Sequence, residues 1–178
     1  IIMYTGHLYE WKGVHVLARA AKLFKDDHLF VFVGGAKKHI ADFKNNYSSN
    51  NILMVGQKPH EEIPLYLKSA DVLVVPNSGK EDISKIYTSP MKIFEYMASG
   101  VPIIASDLPS IREILNERNA VFFESDNEKI LADSIKKVLN NSELSDSIAG
   151  QSLIDSKKYS WENRATGIMG FVNKSIKV

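Results

Sequence analysis

Apolar residues along this chain fall into short unbroken runs, separated by longer segments in which they recur at helical spacing. The runs are Ile2–Thr5, Leu29–Val33, Ile52–Val55, Val72–Val75, Pro102–Ala105 and Val121–Phe123, each bounded by glycine, proline or polar residues as strands are. Between them the spacing predicts helices over Gly13–Phe24, Lys37–Tyr47, Glu61–Ser69, Pro90–Ser99, Ser110–Asn116, Asn127–Leu139 and Glu143–Ser156. The strands are apolar throughout instead of alternating in and out, which a parallel sheet covered on both faces requires. The predicted class is therefore α/β, a Rossmann-like doubly wound parallel sheet of about six strands with helices on both faces. Asp126 reads as the N-cap of the helix whose stripe is Ile130, Leu131, Ile135, Val138 and Leu139, and Ser160 as the cap of a last helix opening at Trp161. The terminal segment 160–178 is expected to lie across a neighbour. Because the first residues already read as a buried strand, the expectation is one domain, 1–178, whose amino-terminal partner is absent.

The chemistry concentrates before one predicted helix. Ser89-Pro90 reads as an N-cap followed by a first helical proline, so Met91 and Lys92 would offer free backbone N–H groups to an anion. Lys92 adds positive charge at that end. Glu95, three residues on along the same face, places a carboxylate acceptor deeper. An anionic diphosphate beside a ribose diol fits this pairing, as in a sugar nucleotide. Gly100 ends the helix and another strand follows, so the motif belongs at the carboxyl-end rim of the sheet. In the first strand-to-helix connection, Gly6-His7-Leu8-Tyr9-Glu10-Trp11-Lys12-Gly13, Lys12 is placed to reach the same phosphates from the opposite side, with His7 at the same rim. Gly34-Gly35 allows either a tight turn or close backbone approach to a ligand. The segment from Pro76 to Thr88 is long and polar for an α/β connection, which at a sheet rim reads either as a functional loop or as a surface excursion with no ligand role.

Composition narrows the classes. A formal net charge of +1 over 178 residues argues against a broad nucleic-acid footprint and leaves room for a local anion site. The chain has no cysteine, which excludes disulfides and thiolate metal sites and is compatible with a reducing cytoplasm. No apolar run approaches the ~20 residues of a membrane span. There is no G-x-G-x-x-G after the first strand, no G-x-x-x-x-G-K-[ST] and no G-x-S-x-G. His15, His28, His39 and His60 stand without partners at ligand spacing, so no metal site is expected.

Gly6…Lys12-Gly13, Val55-Gly56, Ser69-Ala70-Asp71-Val72-Leu73-Val74-Val75-Pro76, Ser89-Pro90…Lys92…Phe94-Glu95-Tyr96-Met97-Ala98-Ser99-Gly100-Val101-Pro102-Ile103, Arg112-Glu113-Ile114 and Tyr159-Ser160-Trp161-Glu162 occur in that order. Together they resemble the carboxy-terminal, donor-binding half of a GT-B glycosyltransferase of family 4, over nearly the whole chain. The resemblance implies a retaining transfer from a UDP- or GDP-linked sugar, without metal or other cofactor. It also implies an acceptor, a glycan or lipid-linked molecule of cell-surface polysaccharide synthesis, reached through the absent domain. It makes Lys12 the diphosphate contact and Glu95 the ribose acceptor, the two catalytic candidates. Gly6, His7, Gly34, Tyr87, Ser89, Pro90, Met91 and Lys92 complete the donor-binding set.

Two positions depart from that family's pattern. Tyr87 stands where a second glutamate is usual, with Ser89, Thr88 or Glu81 as substitutes, and His7 stands where a basic residue is frequent. The full-length protein is expected in the cytoplasm, at the inner face of the membrane, with no nucleic-acid partner. Two rivals remain open at this stage, a nucleotide-sugar epimerase of the same architecture and a non-catalytic nucleotide-sugar-binding subunit.

Overall fold

A computed structural model describes residues 1–25 and 27–176. Its six strands are β1 (Ile2–Thr5), β2 (Phe30–Val33), β3 (Ile52–Gly56), β4 (Val72–Val75), β5 (Ile103–Ser106) and β6 (Val121–Phe123). They form one sheet in the order β3-β2-β1-β4-β5-β6, every pairing parallel. The apolar runs of the sequence conceal a period of two. Ile2, Tyr4, Phe30, Phe32, Val72, Val74 and Ile104 enter one core, while Met3, Val31, Val33, Leu73, Val75, Ile103 and Ala105 enter the other. Both faces are covered, so both sets are apolar.

The first core is closed by α1 (Val14–Ala21), by Phe43 of α2 (Lys37–Tyr47) and by the stripe of α6 (Glu128–Leu139). The second is closed by α3 (Ile63–Lys68), α4 (Met91–Ser99) and α5 (Pro109–Arg112). Next, α7 (Ser142–Ser156) packs against α4 and α6. Last, α8 (Trp161–Ile176) opens with Ser160 Oγ accepting the Asn163 N–H at 3.2 Å and buries none of its residues. The last two residues of the predicted segment 160–178 lie outside the described residues.

Several predicted boundaries shift for local reasons. Residue Asn127, not Asp126, caps α6, its side chain accepting the Ile130 N–H at 3.2 Å. Asp126 instead takes φ +63 and accepts the Gly79 N–H at 2.9 Å. The helix expected to Asn116 ends at Arg112, because Asn116 and Asn119 trade side-chain and backbone bonds that compete with a helix. The helix expected from Glu61 starts at Ile63, after a 3-10 turn over His60–Glu62.

The close approach of the β1 and β4 connections sets the geometry of the carboxyl-end rim. Gly13 has φ +67, and a Cβ there would stand 1.8 Å from the Pro76 carbonyl oxygen. The Ser78 N–H donates to Trp11 O at 3.0 Å across the same seam. Gly100 has the same φ, but a Cβ would meet nothing nearer than 3.5 Å. Gly100→Ala is therefore expected to cost about 1 kcal/mol, the left-handed backbone alone. Gly13→Ala adds a backbone clash and is expected to cost about 3 kcal/mol or more. Urea unfolding of the two variants measures the difference; equal losses would show that the seam yields.

A buried polar pair ties α7 to the β5 to β6 connection. Asp155, 5% exposed, bonds Lys158 at 2.6 Å and Asn119 Nδ2 at 3.0 Å. Lys158 first and then Asn119 hold its carboxyl down to about 2. The folded value lies below the ~3.9 of an unfolded aspartate, so its stabilisation is complete above about pH 4 and is lost as pH falls towards 2. Asp155→Asn should lose about 1–2 kcal/mol at neutral pH. In urea titrations, the gap between variant and parent is expected to close in acid.

Candidate functional site

Backbones diverge on either side of the β1/β4 boundary, and a cleft of about 700 Å³ opens at the carboxyl ends of the strands. This is where open parallel sheets bind ligands. Four connections line it. The one after β1 brings Gly6, His7 and Lys12; the one after β2 brings Gly34, Gly35 and Ala36; the one after β3 brings Gln57 to His60. From the one after β4 come Thr88, Ser89 and Pro90, with Met91, Lys92 and Glu95 on α4.

All the donor-binding residues expected from sequence line this cleft except Tyr87. Tyr87 ends a π-helical turn over Ile83–Tyr87 and is 78% exposed, outside the lining. The same connection is less of a surface loop than its composition implies. Asn77, Ser78 and Ser84 are buried, and Ser84 receives hydrogen bonds from Asn77 Nδ2 at 3.3 Å and from Ser110 Oγ at 2.7 Å. Glu81, offered as a substitute for the missing carboxylate, does not line the cleft. Arg112 is engaged elsewhere, forked onto Asp107 at 2.7 and 3.0 Å and stacked on Phe122.

The start of α4 differs from the reading of Ser89 as cap. Pro90 itself takes the N-cap position, and the first intrahelical bond runs from the Ile93 N–H to Pro90 O at 3.0 Å. The Met91 and Lys92 N–H groups precede that bond, so they still face the cleft end of the helix. One turn in, Glu95 is a third exposed, its Oε1 3.8 Å from His60 Nδ1. Its neighbour Tyr96 is fully buried and accepts the Thr5 N–H at 2.8 Å, tying α4 to the end of β1. Burial keeps the Tyr96 hydroxyl protonated well above its ordinary range. Tyr4, raised likewise by burial and then by Tyr96, donates to the His7 carbonyl at 2.6 Å and shapes the connection above it.

The two lysines differ. Lys12 lies beside Trp11, its Nζ 4.0 Å from the ring centre, and partial burial lowers its pKa. Lys92 lines the cleft from beneath. Its Nζ lies 3.7 Å above the Tyr4 ring, buried and without a hydrogen-bond partner. A Cβ on Gly6, at φ +130, would stand 3.1 Å from that nitrogen, so the glycine lets the lysine tuck beneath the rim. Burial holds the Lys92 pKa well below the ordinary lysine range; repulsion by Lys12 adds to this and Glu95 opposes it. A cation over a ring gains ~0.5–2 kcal/mol, less than it loses by leaving water unpaired.

Sequence reasoning missed the wall from β3. Gln57, Lys58, Pro59 and His60 were not singled out as ligand-facing, although Gly56 ends an edge strand of a parallel sheet and so delivers whatever follows to the rim. Among the described residues, no group of three or more His, Asp or Glu side chains is placed to hold a metal ion, and no helix is long and apolar enough to cross a membrane.

Comparison with known proteins gives this geometry its context. The family model described as Glycosyl transferases group 1 matches residues 1–141. An uncharacterised glycosyltransferase of Methanocaldococcus jannaschii is 31% identical over 171 residues, 93% of this chain and 46% of the relative. A putative teichuronic acid biosynthesis glycosyltransferase of Bacillus subtilis, TuaC, is 23% identical over 77% of this chain and 32% of its own length. The crystal structure of Anabaena HepE in complex with UDP superimposes with a TM-score of 0.83 at 17% identity, covering 97% of this chain and 48% of that one. The chain thus spans about half the length, or less, of the proteins it matches. A six-stranded parallel Rossmann-like sheet, a rim cleft built around Lys12 and Glu95, and a family match over most of its length place the chain in the glycosyl transferases group 1 family, as a carboxy-terminal domain of the GT-B fold.

Proposed function

We propose that this domain binds the nucleotide-diphosphate sugar of a retaining, metal-independent glycosyltransferase. The observation that carries the proposal is the convergence on one cleft of Lys12, the open N-terminus of α4 and Glu95. In this reading Lys12 and the Met91 and Lys92 N–H groups hold the diphosphate from two sides, and Glu95 accepts the ribose hydroxyls. As the sugar leaves, negative charge grows on the diphosphate, and fixed cations and N–H dipoles stabilise it in place of a metal ion. His7 and Ser89 line the same space, and so does Gly34, whose missing side chain makes room for the Gly6 backbone. With Tyr87 outside the cleft, hydroxyl recognition on the sugar falls to Ser89 and Thr88. HepE, which shares the fold, was crystallised with UDP, and that supports a uridine nucleotide as the first ligand to try.

The acceptor reading is a glycan or lipid-linked molecule of cell-surface polysaccharide synthesis, at the cytoplasmic face of the membrane. It is supported by the teichuronic acid assignment of TuaC. Acceptor recognition belongs to the remaining half of the full-length enzyme. The exposed apolar side chains of α8, Trp161, Ile168, Met169 and Phe171, are assigned to packing on that half. The domain alone is accordingly expected to bind donor and to transfer no sugar.

Calorimetry with UDP and GDP tests the reading. Binding is expected to be as tight in EDTA as with magnesium. Glu95→Ala should weaken it at least tenfold, the loss of charged hydrogen bonds worth about 1.5–3 kcal/mol each. Strict dependence on a divalent ion would refute metal independence, and unchanged affinity in the variant would refute the ribose assignment.

A further inference from the structure

Among the described residues, Lys92 is the one cleft lysine whose nitrogen has been taken out of water and given no acceptor. The residue is 9% exposed, and its Nζ is buried and unpartnered. The groups around it come from every wall. Tyr4 of β1 lies beneath it at 3.7 Å, and Lys12 approaches from the β1 connection, where the His7 carbonyl is already taken by Tyr4. Glu95 and Tyr96 share its helix, and His60 stands beyond Glu95. Of these, Lys12 repels a charge on Nζ, Glu95 attracts one, and the two tyrosines stay neutral. Gly6 faces it as well: a Cβ there would stand 3.1 Å from Nζ. Gly6 and Lys92 line the same cleft, so a ligand against Gly6 meets no side chain from that residue on its way to the amine.

We propose that Lys92 couples ligand binding to proton uptake: when a diphosphate occupies the rim above Gly6, a proton from the solvent adds to the Nζ lone pair, and it is released when the diphosphate leaves. The inference rests on the reading that this cleft takes a nucleoside diphosphate. In the empty cleft, burial and Lys12 favour the neutral amine. Two or more negative charges a few ångströms away reverse that balance. Burial makes the neutral amine the less costly form beneath the rim, and a nearby anion makes the cation less costly. The sign of the pH dependence follows. Binding takes up a proton, so affinity falls as pH rises between the free-state and bound-state values of Lys92, by up to about tenfold per pH unit. It is level below that window and level again above it.

Calorimetric titration of the protein with UDP, in buffers of different ionisation enthalpy between about pH 7 and 9.5, measures the protons directly; the terminal phosphate of UDP, with a pKa near 6, is already ionised there. Net proton uptake on UDP binding is expected in the parent within this range, and none in Lys92→Met. Buffer-independent heats in the parent would overturn the inference while leaving nucleotide binding intact. Uptake that persists in Lys92→Met would assign it to Lys12 or a histidine and overturn it too. An absence of binding to UDP, GDP and pyrophosphate alike would refute the nucleotide reading itself. If Lys92→Met does not fold, carbon-13 titration of the Lys92 Cε in the unaltered protein decides. A midpoint below the ordinary lysine range that rises when UDP is added supports the coupling, and an ordinary, ligand-independent midpoint overturns it.

Discussion

Everything at the rim depends on how closely the backbone after β1 can approach the backbone after β4. These neighbours pair in parallel from Ile2 with Val72 to Met3 with Leu73, and their continuations then part around the cleft. The seam between them admits no side chain at Gly13 and is stitched by Trp11 O to the Ser78 N–H. With that seam closed, Lys12 stands beside the cleft and Asn77 and Ser78, at the start of the connection beyond Pro76, are buried. The start of α4 follows, its angle fixed by Tyr96 on the Thr5 N–H. A cleft assembled this way is pre-organised: its charged groups are positioned by packing in the two cores, so ordering them costs little when a ligand arrives.

Architecture was legible because the dominant signal was burial. Apolar runs of strand length, interrupted by helical stripes, leave few alternatives to a doubly wound sheet, and the six runs became the six strands with end shifts of a residue or so. The cleft residues on β1, β2 and α4 could be read from glycine, lysine and helix-start signals that carry a local meaning. What escaped was decided by contacts distant in sequence. Asp126 has every mark of a cap, yet it serves a glycine 47 residues away while its neighbour Asn127 does the capping. Tyr87 sits eight positions before Glu95, a spacing that suggests a shared site, and the π-helical turn directs it outwards. Lys92 was read only as positive charge at the start of α4, and nothing in the local sequence says that Gly6, 86 residues earlier, leaves room for it over Tyr4.

Lys92 also shows how a site can work against the fold that carries it. A lysine without a hydrogen-bond partner beneath a rim is a poor choice for stability, and an apolar side chain would pack there at lower cost. Among the described residues it is the lysine nitrogen in a short set of buried polar atoms without a hydrogen-bond partner, which also includes Asn77 Oδ1, Asp126 Oδ1 and Ser152 Oγ. The neighbouring polar contacts are of the opposite kind: Thr5 with Tyr96, Tyr4 with the His7 carbonyl, and Ser110 with the Ser84 carbonyl are satisfied within the protein and serve only to hold the walls still.

The walls of the cleft are not equally costly to change. Those from β1 and β4 are locked by the seam and by buried side chains, whereas the wall from β3 hangs on an edge strand whose residues are at most half-buried, and Gln57 to His60 contribute nothing to either core. Substitutions there leave folding energy almost untouched. Selection could therefore retune what this rim accepts by rewriting four residues of a single loop while the walls from β1 and β4 stay as they are. A single scaffold built on these terms can diversify in ligand choice much faster than it drifts in structure.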